Sequence, residues 1–209
     1  MSGIKGGARM ALAVMAALAV GACATGPQPV PYDAFRNVRE ANHQHPGEWR
    51  LEDNRMVNVI PDEAASDAVA GGLDGASMAL VEDFRARDLI MQGQLGFEGY
   101  AAPALVFRAQ EEDGVVNAMY MLVVNTDGVF LWRLLDGDWA ALVRHFMPLP
   151  PETMHTVRVE ARGEMIEVGL DGETLFDTND TFLMQAGGAG VSAREGVCYI
   201  ADVGVERLD

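Results

Sequence analysis

The chain holds a single lysine, Lys5, two cysteines, Cys23 and Cys198, and no apolar run long enough to span a bilayer. Its longest such run, Met10 to Ala22, has 13 residues, against the roughly 20 that a hydrocarbon core requires. Positive charge is scarce throughout: 15 basic residues stand against 31 acidic ones, for a formal net charge of −16. That balance argues against nucleic acid as a partner, because affinity there comes from basic contacts to phosphate. It also argues against attraction to anionic lipid head groups, and a surface of this sign keeps a domain soluble. Two cysteines permit one disulfide at most, which excludes a disulfide-built scaffold. Long helical periodicity is missing too, leaving short strands as the building material.

What is present begins at the N-terminus. Lys5 and Arg9, with no acid, make a basic start; Met10–Ala22 is apolar, and small residues close it. This is the arrangement of an export signal, not of a membrane span. Val20-Gly21-Ala22-Cys23 resembles the lipobox of bacterial lipoproteins, in which the cysteine takes diacylglycerol. An ordinary signal peptide with a chance cysteine is the competing reading. The resemblance implies a signal peptide over 1–22, lipidation at Cys23, and a stable anchor built from more than one acyl chain. Ala24, where an aspartate would resemble a retention signal, favours the outer membrane, facing the periplasm, in a cell with two membranes. With Cys23 acylated, Cys198 has no disulfide partner. It lies in the strand-like run Val197–Val205 and reads as a small buried hydrophobe; the alternative is a catalytic thiol with His145 or His155 as its base.

Residues 23–46 read as a lipidated cysteine followed by a flexible tether, with Pro27, Pro29, Pro31 and Pro46 keeping it extended. His43 and His45 sit on it with no third metal ligand in view. Residues 47–209 are long enough for one domain with a sizeable core. Strands are expected near Met56–Ile60, Ser77–Glu82, Asp88–Leu95, Ala104–Ala109, Ala118–Asn125, Val129–Leu135, Ala140–Phe146, His155–Arg162, Met165–Leu170, Gly190–Ala193 and Val197–Arg207. Asp-Gly pairs at 74–75, 113–114, 127–128, 136–137 and 171–172 punctuate them, and such pairs tolerate the positive φ of tight hairpin turns. In His155–Leu170 the apolar Val157, Val159, Ala161, Ile166, Val168 and Leu170 alternate with charged residues, as in a hairpin with one wet face. Pro61–Ala70 is the one helical candidate. The expectation is all-β: an antiparallel two-sheet sandwich.

Several segments resemble, in order, the concanavalin A-like jelly-roll superfamily, in particular its laminin-G-like and 3-keto-disaccharide hydrolase branches. They are Trp49–Asp53, Ser77–Phe84, Asp88–Leu95, Ala104–Arg108, Tyr120–Val124, His155–Val159, Ile166–Gly172, Gly188–Ser192 and Tyr199–Val205. The resemblance spans about residues 48 to 208 and implies a jelly roll whose curved sheet offers a concave face to ligands. The enzyme-like branch carries an acid and an Asn-Ser-Gly where this chain has Met91–Leu95 and Ala101–Leu105. No Glu-x-Asp-x-x-Glu occurs, so the paired carboxylates of a retaining glycosidase are not displayed.

On that implied concave face, Gln92, Gln94, Arg108, Tyr120, Trp132, Arg133, Trp139 and His145 are the candidate ligand-binding residues. Aromatic faces stack on sugar rings, and Arg or Gln supply directional hydrogen bonds. Core packing is the competing reading for Tyr120, Trp132 and Trp139, and a structural ion pair for Arg108. Asp177, Asn179 and Asp180 form an oxygen-rich loop, the candidate calcium site, although calcium takes six to eight oxygens. No other cofactor is implied. The leading reading is an envelope lipoprotein that binds a glycan or a protein partner without catalysis. The alternatives are a hydrolase or lyase acting on (3-keto-)disaccharides, with His145 or His155 beside Glu160 or Glu167, and a purely structural role with a self-filled groove.

Overall fold

The computed structural model describes residues 26–41, 48–59 and 76–209. Cys23 and its lipobox, His43, His45 and the helix expected at Pro61–Ala70 lie outside the described residues. The strands, in chain order, are β1 (Gln28–Pro29), β2 (Phe35–Glu40), β3 (Glu48–Glu52), β4 (Arg55–Val59) and β5 (Ala76–Val81). There follow β6 (Leu89–Phe97), β7 (Ala102–Glu112), β8 (Val115–Asn125), β9 (Gly128–Leu135) and β10 (Asp138–Phe146). The last five are β11 (His155–Arg162), β12 (Met165–Leu170), β13 (Glu173–Asn179), β14 (Gly188–Arg194) and β15 (Cys198–Arg207).

They form the expected two-sheet, jelly-roll sandwich. The first sheet runs β13-β12-β11-β6-β15-β4-β3, with β1 added to β15. The second contains β10, β9, β8, β7, β14, β5 and β2. Pairing is antiparallel except for one short parallel contact, where Arg39 and Glu40 of β2 meet Val115 and Val116 of β8. Hairpin chemistry explains the connections. Asp113-Gly114, Asp136-Gly137 and Asp171-Gly172 hold both residues at positive φ, between 50° and 88°, as a two-residue type I′ turn requires.

Between the sheets lies the main core. Leu89, Met91 and Leu95 of β6 and Val157, Val159 and Ala161 of β11 meet Leu105, Phe107, Tyr120, Leu122 and Val124 from the second sheet. Alternate residues of these strands point inward because successive side chains leave opposite faces. Full burial of each large aliphatic one contributes roughly 1.5–3 kcal/mol.

The second sheet closes on itself. β8 pairs with β7, β7 with β14, β14 with β5, β5 with β2, and β2 with β8 again, which completes a ring. Inside it, on the face away from the main core, Val38, Met78, Leu80, Val106, Met119 and Met121 make a second apolar cluster. The curl is tight enough that a Cβ on Gly190 would fall 2.0 Å from the Ala79 carbonyl oxygen. Arg36 of β2 ties the ring to Glu111 of β7 by a bidentate pair at 2.7 and 2.6 Å. That hydrogen-bonded guanidinium holds the Glu111 carboxyl below its usual pKa.

Two differences from the sequence expectation concern strands. Residues 28–40, read as tether, supply β1 and β2 to the sandwich; their prolines fall at Pro29 and just outside β2, where the ladder needs no amide from them. β13, with the pattern Glu-Thr-Leu-Phe-Asp-Thr-Asn, carries too few apolar residues to show an alternation, and its burial is shallow.

Candidate functional site

The ring leaves one end of the concave face open. There the β8–β9 turn, β9, β10 and the end of β14 enclose a pocket of about 310 Å³. Its base is Ala102, Val123 and Phe130, and its wall is Trp132, Arg144 and Phe146. Asn125, Asp127 and Glu195 form the rim, with Arg194 beneath. Phe146 is 72% exposed, propped edge-on against Phe130 with ring centroids 5.4 Å apart. The Arg144 guanidinium lies 5.4 Å from the Trp132 ring centre, a cation–π geometry, and has no ion pair among the described residues. Asn125 Oδ1 accepts the Asp127 N–H at 2.9 Å, which orients the Asn125 amide and leaves its NH₂ without a partner among the described residues.

Beneath this pocket the face is sealed. Arg194 and Glu40 form an ion pair at 2.7 Å, with side chains only 1% and 0% exposed. The same guanidinium lies 5.1 Å from the Trp139 ring centre, bridging β2 and β10 across the concavity.

The eight residues expected to share the concave face are divided among different places. Trp132 and Trp139 do project there, half-buried. Gln92 and Gln94 sit on the outer face of the other sheet, paired with Arg158 and Thr156. Tyr120 points into the main core, where burial and its bond to Asp180 raise its pKa and keep it a hydroxyl donor. Arg133, next to Trp132 in β9, necessarily faces the opposite way and pairs with Asp180. His145 also faces inward, its ring 6.1 Å from Phe176. Arg108 is fully buried: its guanidinium donates to the carbonyls of Arg87, Leu183 and Gly163 at 2.6, 3.2 and 2.7 Å. Desolvation works against its charge and lowers its pKa. Of the expected residues, only Trp132 lines the pocket. Phe130, Arg144 and Phe146 had gone unnoticed, although Arg144 and Phe146 stand two apart on one strand.

The three calcium candidates do not converge. Asp177 and Asn179 lie exposed along β13, whereas Asp180 turns inward to a buried position. Its oxygens are already engaged: Oδ1 accepts from the Tyr120 hydroxyl at 2.7 Å and the Phe182 N–H at 2.9 Å, and Oδ2 pairs with Arg133. Among the described residues no group of three or more His, Cys, Asp or Glu is arranged to hold a metal ion.

The nucleophile and acid–base candidates are likewise committed elsewhere. Burial pushes the Cys198 thiol up to about 12, leaving it protonated and unreactive at neutral pH. His155 Nδ1 lies 2.8 Å from Asp171. Glu160 is held by Arg158 and Arg162, each at 2.5 Å, and Glu167 by Arg158 at 3.6 Å. No histidine bonds to Glu160 or Glu167 among the described residues.

No protein-family model matches the chain. A levanase from Bacillus sp. (strain L7) is 31% identical over 140 residues, covering 63% of this chain and 14% of the levanase. The chain thus spans about a seventh of the length of the curated relative it matches. Among solved structures, the carbohydrate binding module CBM66 from Bacillus subtilis superposes with a TM-score of 0.66 at 18% identity, over 83% of this chain and 95% of that one. A Bacillus subtilis protein of unknown function with a galectin-like fold gives 0.60 at 10% identity, covering 87% and 93%. A putative glycosyl hydrolase from Parabacteroides distasonis gives 0.57 at 11%, covering 86% and 91%. The fold, a two-sheet jelly-roll sandwich shared with these structures, is the one that the resemblance in the sequence implies.

Proposed function

We propose that this chain is a non-catalytic glycan-binding lipoprotein of the cell envelope, taking its sugar in the pocket between Trp132 and Phe146. The observation that carries the reading is Phe146, a phenyl ring 72% exposed at the mouth of a pocket, beside Arg144 and Trp132. A monomeric protein exposes such a ring at little benefit to its own packing, and an aromatic face suits the C–H face of a sugar. Arg144, Asn125, Asp127 and Glu195 surround it with donors and acceptors for hydroxyl groups. The rim carboxylates argue for binding over hydrolysis. Asp127 and Glu195 are exposed, whereas bond cleavage uses groups held in a closed site from which water is expelled.

The likeness to a levanase puts levan first among the glycans to test. Titration of the full chain with levan should show saturable binding and no release of reducing sugar. Phe146→Ala and Trp132→Ala should each weaken it by about tenfold or more, as truncation of an aromatic anchor does. Turnover abolished by Asp127→Asn would establish the enzyme reading instead. Failure to bind levan or any glycan on an array would sink both.

The anchor is carried by Lys5, Arg9, the short apolar run and Val20–Cys23. Cys23→Ala is expected to shift the protein from the membrane fraction to the soluble one and to abolish labelling by palmitate. Unchanged partitioning would remove the lipoprotein from the proposal.

A further inference from the structure

At the other end of β8 and β9 lies a second cavity, of about 240 Å³, lined by Asn117, Asp136, Phe182, Leu183 and Gln185 among others. Its construction differs from a fortuitous surface hollow. Phe182 is 62% exposed, yet it is held in place twice. Its N–H donates to Asp180 Oδ1 at 2.9 Å, and its ring has the Arg133 guanidinium 3.8 Å from its centre. Arg133 and Asp180 are themselves an ion pair, 14% and 6% exposed, so this support sits largely out of water, where cation–π attraction is strongest. One ring face therefore rests on Arg133 and the other meets solvent. Around it, the side chains of Asn117, Asp136 and Gln185 make no hydrogen bond or ion pair within the described residues.

We infer that this cavity is a second saccharide site, which makes the module bivalent for a polysaccharide. Phe182 is the stacking surface, fixed before ligand arrives, so little conformational entropy is lost on binding. The amides of Asn117 and Gln185 each offer donors and an acceptor, and Asp136 accepts from adjacent hydroxyls. The inference deepens the function proposed above and rests on its substrate class. Asn117 and Asn125 mark the two sites along β8, roughly 26 Å apart at about 3.3 Å per residue. Two contacts on one rigid body raise the effective concentration for the second, so a long glycan is retained better than a short one.

Levan and levan-derived oligosaccharides, titrated into ¹⁵N-labelled protein, test this directly. The Asn117 and Gln185 side-chain amides and the Phe182 amide report on the second site, and the Trp132 indole reports on the first. Both sets should shift. Phe182→Ala should erase only the second set and weaken binding of full-length levan by about tenfold or more, with affinity for short oligosaccharides at the Trp132 site unchanged. Gln185→Ala, at an exposed position, should act in the same direction without threatening the fold. Shifts confined to Trp132, with levan binding unaffected by Phe182→Ala, would overturn the second site and leave the first standing. Shifts confined to Phe182 and its neighbours would do the reverse. No shift in either set with fructo-, gluco- or galacto-oligosaccharides would overturn both.

Discussion

Replacing Arg194 with methionine is expected to lower the unfolding free energy by about 3–5 kcal/mol, because it removes the cation from a carboxylate taken wholly out of water. The partner is Glu40, and neither side chain is more than 1% exposed. Two charges were desolvated to form this pair, so its net worth is small even though breaking it is costly. The double variant Glu40→Leu with Arg194→Met should therefore recover most of the loss, as buried pairs replaced by apolar residues of similar size do. Urea denaturation of the two single variants and the double variant measures the cycle. A double variant as unstable as Arg194→Met alone would mean that the pair itself, and not its half-broken state, carries the energy. The pair has a functional side as well. Arg194 underlies the Trp132–Phe146 pocket and the Trp139 ring, so under the proposed function the double variant should loosen glycan binding more than it loosens the fold.

Arg108→Met is the second large effect. The guanidinium is fully buried and serves three carbonyls, those of Arg87, Leu183 and Gly163, with Asp88 at 3.6 Å. Each abandoned acceptor costs about 1–3 kcal/mol, so the variant should lose at least about 3 kcal/mol. Arg108→Lys keeps the charge but cannot present a planar fork to three acceptors, and it should recover only a part. A methionine variant within about 1 kcal/mol of the parent by chemical denaturation would refute this account. The Leu183 contact reaches the loop that carries Phe182, so binding at the proposed second site should weaken along with stability.

Both arginines show where sequence reading stops. Arg108 stood among the candidate ligand residues because a central strand of the implied concave face would present its guanidinium to a ligand. The backbone at Arg108 is left-handed, with φ 51°, and the β7–β8 register slips between Phe107 and Gln110. That bulge turns the residue inward. A bulge likewise decided β10. Counting by twos from Trp139 puts His145 on the same face, but the register shifts between Ala141 and Val143. Beyond the shift, Arg144 and Phe146 join Trp139's face and His145 crosses to the core. One extra residue exchanged the two faces of a strand. Gln92 and Gln94 were misplaced for another reason: nothing local to β6 says which sheet it joins.

The sequence by itself determined the class of the fold and most of its strands. Period-two alternation and Asp-Gly turns are local, and β11 and β12 fell at their expected limits because a hairpin needs only its own residues. It also determined the acidity of the domain and the absence of the usual glycosidase carboxylate motif. Tertiary structure alone decided which faces meet, where register slips, and that one sheet rolls into a ring filled by its own methionines and sealed by Glu40 and Arg194. Those outcomes depend on pairings between residues as far apart as 40 and 194, which no window along the chain contains. The open end of that ring, where Phe146 remains uncovered, is a property of the closure and not of any one strand.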